Sequence, residues 1–327
     1  MFFALTEDQQ EFGAAVRGYL AERFDLAAVR GVVEDTDGDG NPATLWKAAG
    51  EQGWLAVTVP EEFDGLGLGL VEAQVIARAL GAGVAPGPWR GTVLAAEAIR
   101  LAGTDEQKAT WLPRLAAGAA VGALAGDRTL AAVEYGAIAD VVVTPDGLLV
   151  TGASSTPRGS YDGTARLADL TGGTVEELAA APEIRSRAAV LVAADLVGIA
   201  REALTRTVAY DRERRQFGVP VGSFQSIKHT LADLHCTITM AEHATLYAAH
   251  AVEVGAEDAP LAVAVAKAKA GDAAVASTGA MIQYHGGIGY TWEHEAHLFY
   301  KRAKRLAGQW GDSATHRARI AELTMGG

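Results

Sequence analysis

Residues 212–225 read RERRQFGVPVGSFQ: three arginines, an aromatic, a Gly-x-Pro break, and a second aromatic followed by glutamine. They fall between two long apolar helical patterns. Arginine this dense at a helix end points to a nearby anion, because the guanidinium fork matches carboxylate and phosphate geometry. The competing explanation is local, since cations near a helix C-terminus complement the helix dipole. A second segment, Gln283-Tyr284-His285-Gly286-Gly287-Ile288-Gly289-Tyr290-Thr291, places glycines where a backbone could come close to a ligand. His294 and His297 in the following Trp-Glu-His-Glu-Ala-His run lie at i, i+3 on one helical face. That run lacks the HExxH spacing and a third convincing ligand, so no metal site is expected. Cys236 is the only cysteine, which excludes a disulfide within the chain. With no acid or imidazole motif beside it, Cys236 reads as a small core residue.

The elements that must position these residues follow from periodicity and punctuation. Thr6-Glu7-Asp8-Gln9 and Thr104-Asp105-Glu106-Gln107 are capping boxes that open helices, the second running into Pro113. Helical patterns also cover about 43–53, 71–80 and 92–101. The segment from Trp54 to Leu70, with Pro60 and a Gly-rich end, reads as a loop. Residues 1–122 thus form an N-terminal helical domain. The character changes in 123–180: DVVVTPDGLLVTG, from Asp140, has two β-rich runs around Pro-Asp-Gly, a hairpin signal. Residues 154–174 are rich in Gly, Ser and Thr and weakly patterned. A small β region of a few strands is expected there. From 181 to 327 the signal is helical again, over about 187–213, 224–254, 258–285 and 292–306. Long helices with short connections imply an antiparallel bundle. The fold class is therefore mainly α, with a reduced β domain between two helical ones.

Two segments together, Arg214-x-x-Phe217-Gly218 … Phe224-Gln225-x-Ile227-Lys228-His229-x-Leu231-Ala232-Asp233 and Gln283 through Glu293, resemble the C-terminal helical domain of the acyl-CoA dehydrogenase family. Trp54-Leu55, Val59-Pro60-Glu61-Glu62, Gly65-Leu66-Gly67 and Leu112-Pro113 resemble its N-terminal domain. The resemblance implies an N-terminal helical domain, a middle β-barrel and a C-terminal four-helix bundle. It also implies FAD, and oxidation of the Cα–Cβ bond of an acyl-CoA thioester, with a carboxylate taking the α proton. In that family the FAD lies across a subunit boundary. Arg214 resembles the arginine that binds the FAD pyrophosphate. Phe217 and Phe224 would flank the adenosine part, and Gln225, Gln283, Gly286 and Gly287 would contact the ADP end. Arg212 and Arg215 are read as helix-end cations only.

The departures from the family pattern matter as much. The Thr-Glu-Pro … Gly-Ser-Asp and Trp-Ile-Ser/Thr segments that hold the flavin ring are absent. Residues 123–180 are too few for a full barrel and contain no tryptophan. The two usual positions of the catalytic glutamate align with Trp310 and Ala188, neither of which can accept a proton. What is kept is the half-site a subunit lends to a neighbour; what is lost is the half it would use itself. This resembles the shorter, base-lacking subunit of the α2β2 acyl-CoA dehydrogenases of actinobacterial steroid degradation. It implies a full-length partner subunit that supplies the glutamate and the flavin-ring contacts. It also implies an electron-transfer flavoprotein or similar acceptor. Two alternatives remain open at this stage. One is a self-sufficient homo-oligomeric flavoenzyme using a displaced acid such as Asp312; the other is a non-catalytic scaffold subunit. Glu293 and Glu295 are read as paired or solvated.

Composition bounds the partners. The 327 residues carry a formal net charge of -12, which argues against nucleic acid or an anionic membrane. The first residues lack the basic and apolar regions of a signal peptide. No apolar run reaches the roughly 18 residues of a membrane span. A cytoplasmic location is the expectation.

Overall fold

A computed structural model describes residues 4–326. Among these residues eleven α-helices are formed: α1 (Glu7–Arg23), α2 (Leu26–Glu34), α3 (Ala43–Glu51), α4 (Leu70–Ala82), α5 (Trp89–Ala102), α6 (Asp105–Ala116), α7 (Ile184–Glu213), α8 (Gln225–Glu253), α9 (Ala259–Tyr284), α10 (Ala296–Gly308) and α11 (Ser313–Met325). The strands between α6 and α7 are β1 (Gly122–Leu124), β2 (Val133–Glu134), β3 (Val141–Val143), β4 (Leu148–Thr151), β5 (Ser154–Arg158), β6 (Leu167–Thr171) and β7 (Thr174–Glu177). A short hairpin, β8 (Arg215–Gln216) with β9 (Val219–Pro220), joins α7 to α8.

Contacts divide the chain into two compact units. One gathers the chain up to Leu26, Gln74–Ala85, and the chain from Ala189 onward; the other gathers Ala27–Ala73 and Pro86–Ala188.

The first unit is helical. Its core is shared by α7 (Val192, Leu196, Ile199, Ala203), α8 (Leu234, Ile238, Ala241), α9 (Ala270, Ala274, Met281) and α10 (Phe299, Ala303, Leu306). These residues recur at three- and four-residue steps, which is how a helix turns one stripe to a shared interior. Alanine dominates α9, which lets α8, α10 and α11 approach it closely. Close approach also joins α4 to α7. A Cβ on Gly81 would stand 2.2 Å from the Asp195 carbonyl oxygen, and one on Gly198 would stand 2.0 Å from that of Arg78. Only glycine fits at either crossing. The buried Arg302 of α10 ties this region together, donating to Asp195 Oδ1 and Oδ2 at 3.1 and 2.7 Å and to the Ala85 carbonyl at 2.9 Å.

In the second unit both strand layers are small. β1, β3, β4 and β7 form one sheet, with β1 and β3 parallel and the rest antiparallel. β2, β6 and β5 form the other, antiparallel throughout. The Pro-Asp-Gly hairpin is present, pairing β3 with β4. The weakly patterned stretch after it holds two strands. β5 is exposed along its whole length, so it shows no alternation, and Pro157 is tolerated because β5 lies at a sheet edge.

Both capping boxes form with reciprocal bonds, at Thr6 and Gln9 and at Thr104 and Gln107. α6 does not stop at Pro113 but runs on to Ala116. Trp111, Leu112, Leu115 and Ala116 are all buried, and that burial outweighs the one backbone bond a proline removes. Cys236 corrects the sequence reading. It lies on the exposed side of α8 and is not a core residue.

Candidate functional site

The arginine-rich segment closes α7 and turns at once. Phe217 (φ 53°) and Gly218 (φ 81°) are consecutive left-handed residues, the signature of a two-residue hairpin loop. Glycine adopts this freely, whereas a phenylalanine there costs on the order of 1–2 kcal/mol. The strained Phe217 is 92% exposed, touching Phe224 edge-on with ring centroids 6.3 Å apart. Phe224 sits at the N-cap of α8 and Gln225 is the first residue of that helix. Arg215 bends back to its own hairpin, donating to the Gly218 carbonyl at 3.5 Å.

The glycine segment lies at the same end of the bundle. α7 ends where α9 ends, and Tyr210 stacks on His285 with ring centroids 4.3 Å apart. The Tyr210 hydroxyl also donates to the His285 carbonyl at 3.4 Å. His285 Nδ1 lies 2.7 Å from the Met281 carbonyl, which fixes its ring. Burial, with His294 beside it, holds the His285 imidazole below the ordinary histidine range. Gly286 then turns left-handed (φ 65°), and no atom lies within 4 Å of where a Cβ would stand on Gly286 or Gly287.

Arg214, Phe217, Phe224, Gln225, Gln283, Gly286 and Gly287 are therefore all placed at one end of the helical bundle, and all are exposed. The side chains of Arg214, Gln225 and Gln283 have no polar partner among the described residues. Free guanidinium and amide donors beside an open glycine turn suit a diphosphate with an attached base. Close by, Ile288, Tyr290 and Trp292 extend the exposed apolar surface, with Tyr290 at 89% exposure. Lys301 Nζ lies 4.0 Å from the centroid of the Trp292 ring, a cation–π contact.

The two positions at which the resemblance places the family's acid are Ala188 and Trp310. Ala188 is fully buried on α7. Trp310 follows α10 in a left-handed conformation (φ 57°), with its ring packed against the bundle core. Gly311 (φ 97°) continues the turn. This junction is held from several sides. Lys267, buried on α9, donates to the Ala307 and Gly311 carbonyls at 3.0 and 2.8 Å. His316 Nε2 lies 3.0 Å from the Trp310 carbonyl, and Ser313 Oγ donates to the Ala268 carbonyl at 3.1 Å. Burial pulls the Lys267 ammonium down to about 8, although Asp312 opposes the shift.

Asp312 itself caps α11, accepting from the Thr315 N–H at 2.8 Å. That bond holds its carboxyl below the usual range, which makes it a weak proton acceptor. Glu295 pairs with Arg206 at 3.0 Å. His294 Nδ1 accepts from the Ala296 N–H at 3.1 Å, which orients its ring without a metal.

One residue in this region escaped the sequence reading. Asp211, beside Tyr210, is 1% exposed, and neither carboxyl oxygen has a hydrogen-bond partner among the described residues. Burial alone pushes its carboxyl up to about 6. Its backbone crowds Gly222, where a Cβ would lie 3.0 Å from the Asp211 carbonyl oxygen. The signal was an acid at a position of α7 in step with the buried Leu204 and Thr207.

Comparison with known proteins agrees with this fold. Residues 185–325 match the model of the acyl-CoA dehydrogenase C-terminal domain, and residues 6–119 match that of the N-terminal domain. The chain is 38% identical to acyl-CoA dehydrogenase IpdE2 of Mycobacterium tuberculosis over 301 residues, covering 91% of each protein. It is 34% identical to IpdE2 of Mycolicibacterium smegmatis, covering 91% of this chain and 93% of that protein. Among solved structures, a variant of the Tcur3481-Tcur3483 steroid ACAD superposes with a TM-score of 0.88 at 27% identity, covering 97% of both chains. A chain of the ChsE4-ChsE5 complex from Mycobacterium tuberculosis shares the fold with a TM-score of 0.90 at 24% identity, covering 99% of both chains. The chain belongs to the acyl-CoA dehydrogenase family. That family is one of FAD-dependent oxidoreductases. No helix among the described residues is long and apolar enough to cross a membrane.

Proposed function

We propose that this chain is the base-lacking subunit of a hetero-oligomeric acyl-CoA dehydrogenase, α2β2 in organisation. Arg214, Phe217, Phe224, Gln225, Gln283, Gly286 and Gly287 hold the ADP end of an FAD. A full-length partner subunit seats the flavin ring and supplies the catalytic glutamate. Bound FAD provides the hydride acceptor for desaturation of an acyl-CoA thioester, and an electron-transfer flavoprotein or similar protein takes the electrons onward. The acyl group is read as steroid-derived, an assignment supported by the steroid ACAD whose name pairs two proteins.

One observation carries the reading. The ADP-end side chains stand exposed and unpartnered at one end of the bundle, while both acid positions are filled by Trp310 and buried Ala188. A strained phenylalanine left in water has no benefit to an isolated chain. Seated against an adenosine or a neighbouring subunit, its burial offsets the backbone cost. The homo-oligomeric alternative needs Asp312 to leave its helix cap and regain basicity, and nothing in its surroundings favours that.

The test is reconstitution. The chain expressed alone is expected to purify colourless and without dehydrogenase activity. Expressed with its partner it is expected to give a yellow, active complex. Stoichiometric FAD and acyl-CoA turnover by the lone chain would overturn the proposal.

A further inference from the structure

Midway along α8, residues of α1, α4 and α8 enclose an open cavity of about 360 Å³, lined in part by Arg17, Gln74, Arg78, Glu242 and His243. Glu242 is its carboxylate, and both oxygens are already engaged. Oε1 pairs with Arg78, and Oε2 accepts from Arg201 at 2.8 Å. Arg201 is further held by Thr239 Oγ1 at 3.0 Å and by His235 Nδ1 at 3.1 Å. Arg17 enters from α1 and has no carboxylate within ion-pair distance among the described residues. Two guanidiniums thus share one carboxylate, and a third, Arg17, lies near them, in a protein whose net charge is -12. The crowding is felt at Arg78. Burial lowers its hold on the proton; Glu242 opposes this, and the nearby Arg17 and Arg201 add to it.

A helix-bracing ion-pair network accounts for Arg78, Arg201 and Glu242. It does not account for Arg17, nor for Gln74. Gln74 is 3% exposed as a residue, and it lines the cavity with no hydrogen-bond partner among the described residues, so its amide faces the open space of the cavity. An amide facing an open cavity with no protein partner is free to donate to and accept from whatever occupies that cavity. The cavity size suits a small molecule. Apolar walls from Ala4, Leu5 and Leu246 leave room for a short carbon skeleton.

We propose that this cavity binds a small oxyanion, a carboxylate or phosphate on a compact molecule. The anionic oxygens lie between the Arg17 and Arg78 guanidiniums, and the Gln74 amide donates to one of them. This site is separate from the ADP-end cluster and does not rest on the reading of that cluster.

The experiment is calorimetric titration and thermal melting of the full chain with succinate and with inorganic phosphate, against sodium chloride of equal ionic strength. Saturable binding of at least one probe is expected, with a rise in Tm beyond the chloride control. Arg17→Gln should weaken that binding roughly tenfold, as the loss of one charge-assisted contact does. Gln74→Leu should weaken it less. Because Arg17 is exposed, Arg17→Gln should fold normally and retain the same FAD content in the assembled complex. No saturable response to either probe, or the same response in both variants, would overturn the site. Failure of both probes together with weaker chain–chain association in Arg17→Gln would reassign the pocket to an acidic side chain of a neighbour. That result too would defeat the small-molecule assignment.

Discussion

A buried ionisable group has a measurable signature, and the chain has two informative cases. Asp211 is buried with its carboxyl pushed up from 3.8 to about 6. The folded state then binds more protons than the unfolded state between those values, so stability falls as pH rises through that window. Asp211→Asn should remove that dependence. It should also stabilise the chain at pH 7 by about 1–3 kcal/mol, read from urea unfolding at pH 5 and pH 7. Lys267 behaves oppositely. Burial lowers its ammonium from 10.5 to about 8, so between those values the unfolded chain holds the proton and the folded chain does not. Stability should therefore rise with pH across that range. Lys267→Met should flatten the rise and cost about 1–3 kcal/mol by leaving the Ala307 and Gly311 carbonyls without their donor. Arg214 is the residue-level test of cofactor binding. In the assembled complex Arg214→Ala should lower FAD affinity roughly 10- to 100-fold, the range for a lost charge-assisted contact, with little change in the rate of bound enzyme. Equilibrium dialysis of flavin against the complex measures it.

Elements in this protein are placed by contacts that tolerate no bulk. α4 and α7 touch backbone to backbone at Gly81 and Gly198. Gly198→Ala should cost about 1–3 kcal/mol through overpacking, although alanine is the better helix former. A thermal melt that rose instead would mean the crossing is looser than described. The Arg302–Asp195 pair is a different kind of constraint. Both partners are buried, so Arg302→Met strands a carboxylate and should cost about 3–5 kcal/mol, while replacing both partners should cost much less. At the junction of α10 and α11, a left-handed tryptophan followed by a glycine is held by Lys267, His316 and the Asp312 cap. These contacts fix Trp310 at the turn between α10 and α11.

At the scale of the whole molecule, the chain has the acyl-CoA dehydrogenase fold, and the proposed ADP-end cluster lies at one end of the helical bundle. Exposed aromatic surface is concentrated there: Phe217, Phe224, Tyr290 and Trp292. An unpartnered chain gains nothing from that arrangement, whereas an assembly that shares a cofactor across subunits uses all of it. Size-exclusion chromatography of Phe217→Ala with its partner should show weaker assembly together with flavin loss. The cationic cavity on α1, α4 and α8 lies outside this cluster, so the two sites can be probed independently.

The sequence by itself determined the helical character of both ends, the capping boxes and the Pro-Asp-Gly hairpin. Each of these is local chemistry. Periodicity sets a helix face, a hydroxyl caps the orphan N–H groups, and proline and glycine fix turn angles, all within a few residues of chain. It also put Trp310 and Ala188, neither of which can take a proton, where the family resemblance leads one to expect an acid. It did not give α11, which buries no residue among the described ones, or β5 and β7, which are exposed throughout and so show no alternation. It misplaced Cys236, because an apolar residue type says nothing about which side of α8 faces solvent. Only the tertiary structure decided which charges are paired. Asp195 with Arg302, the lone Asp211, and three arginines around Glu242 are meetings of residues far apart in sequence. Their pairing depends on where helices cross, and that is settled by the packing of the whole core rather than by any segment of it.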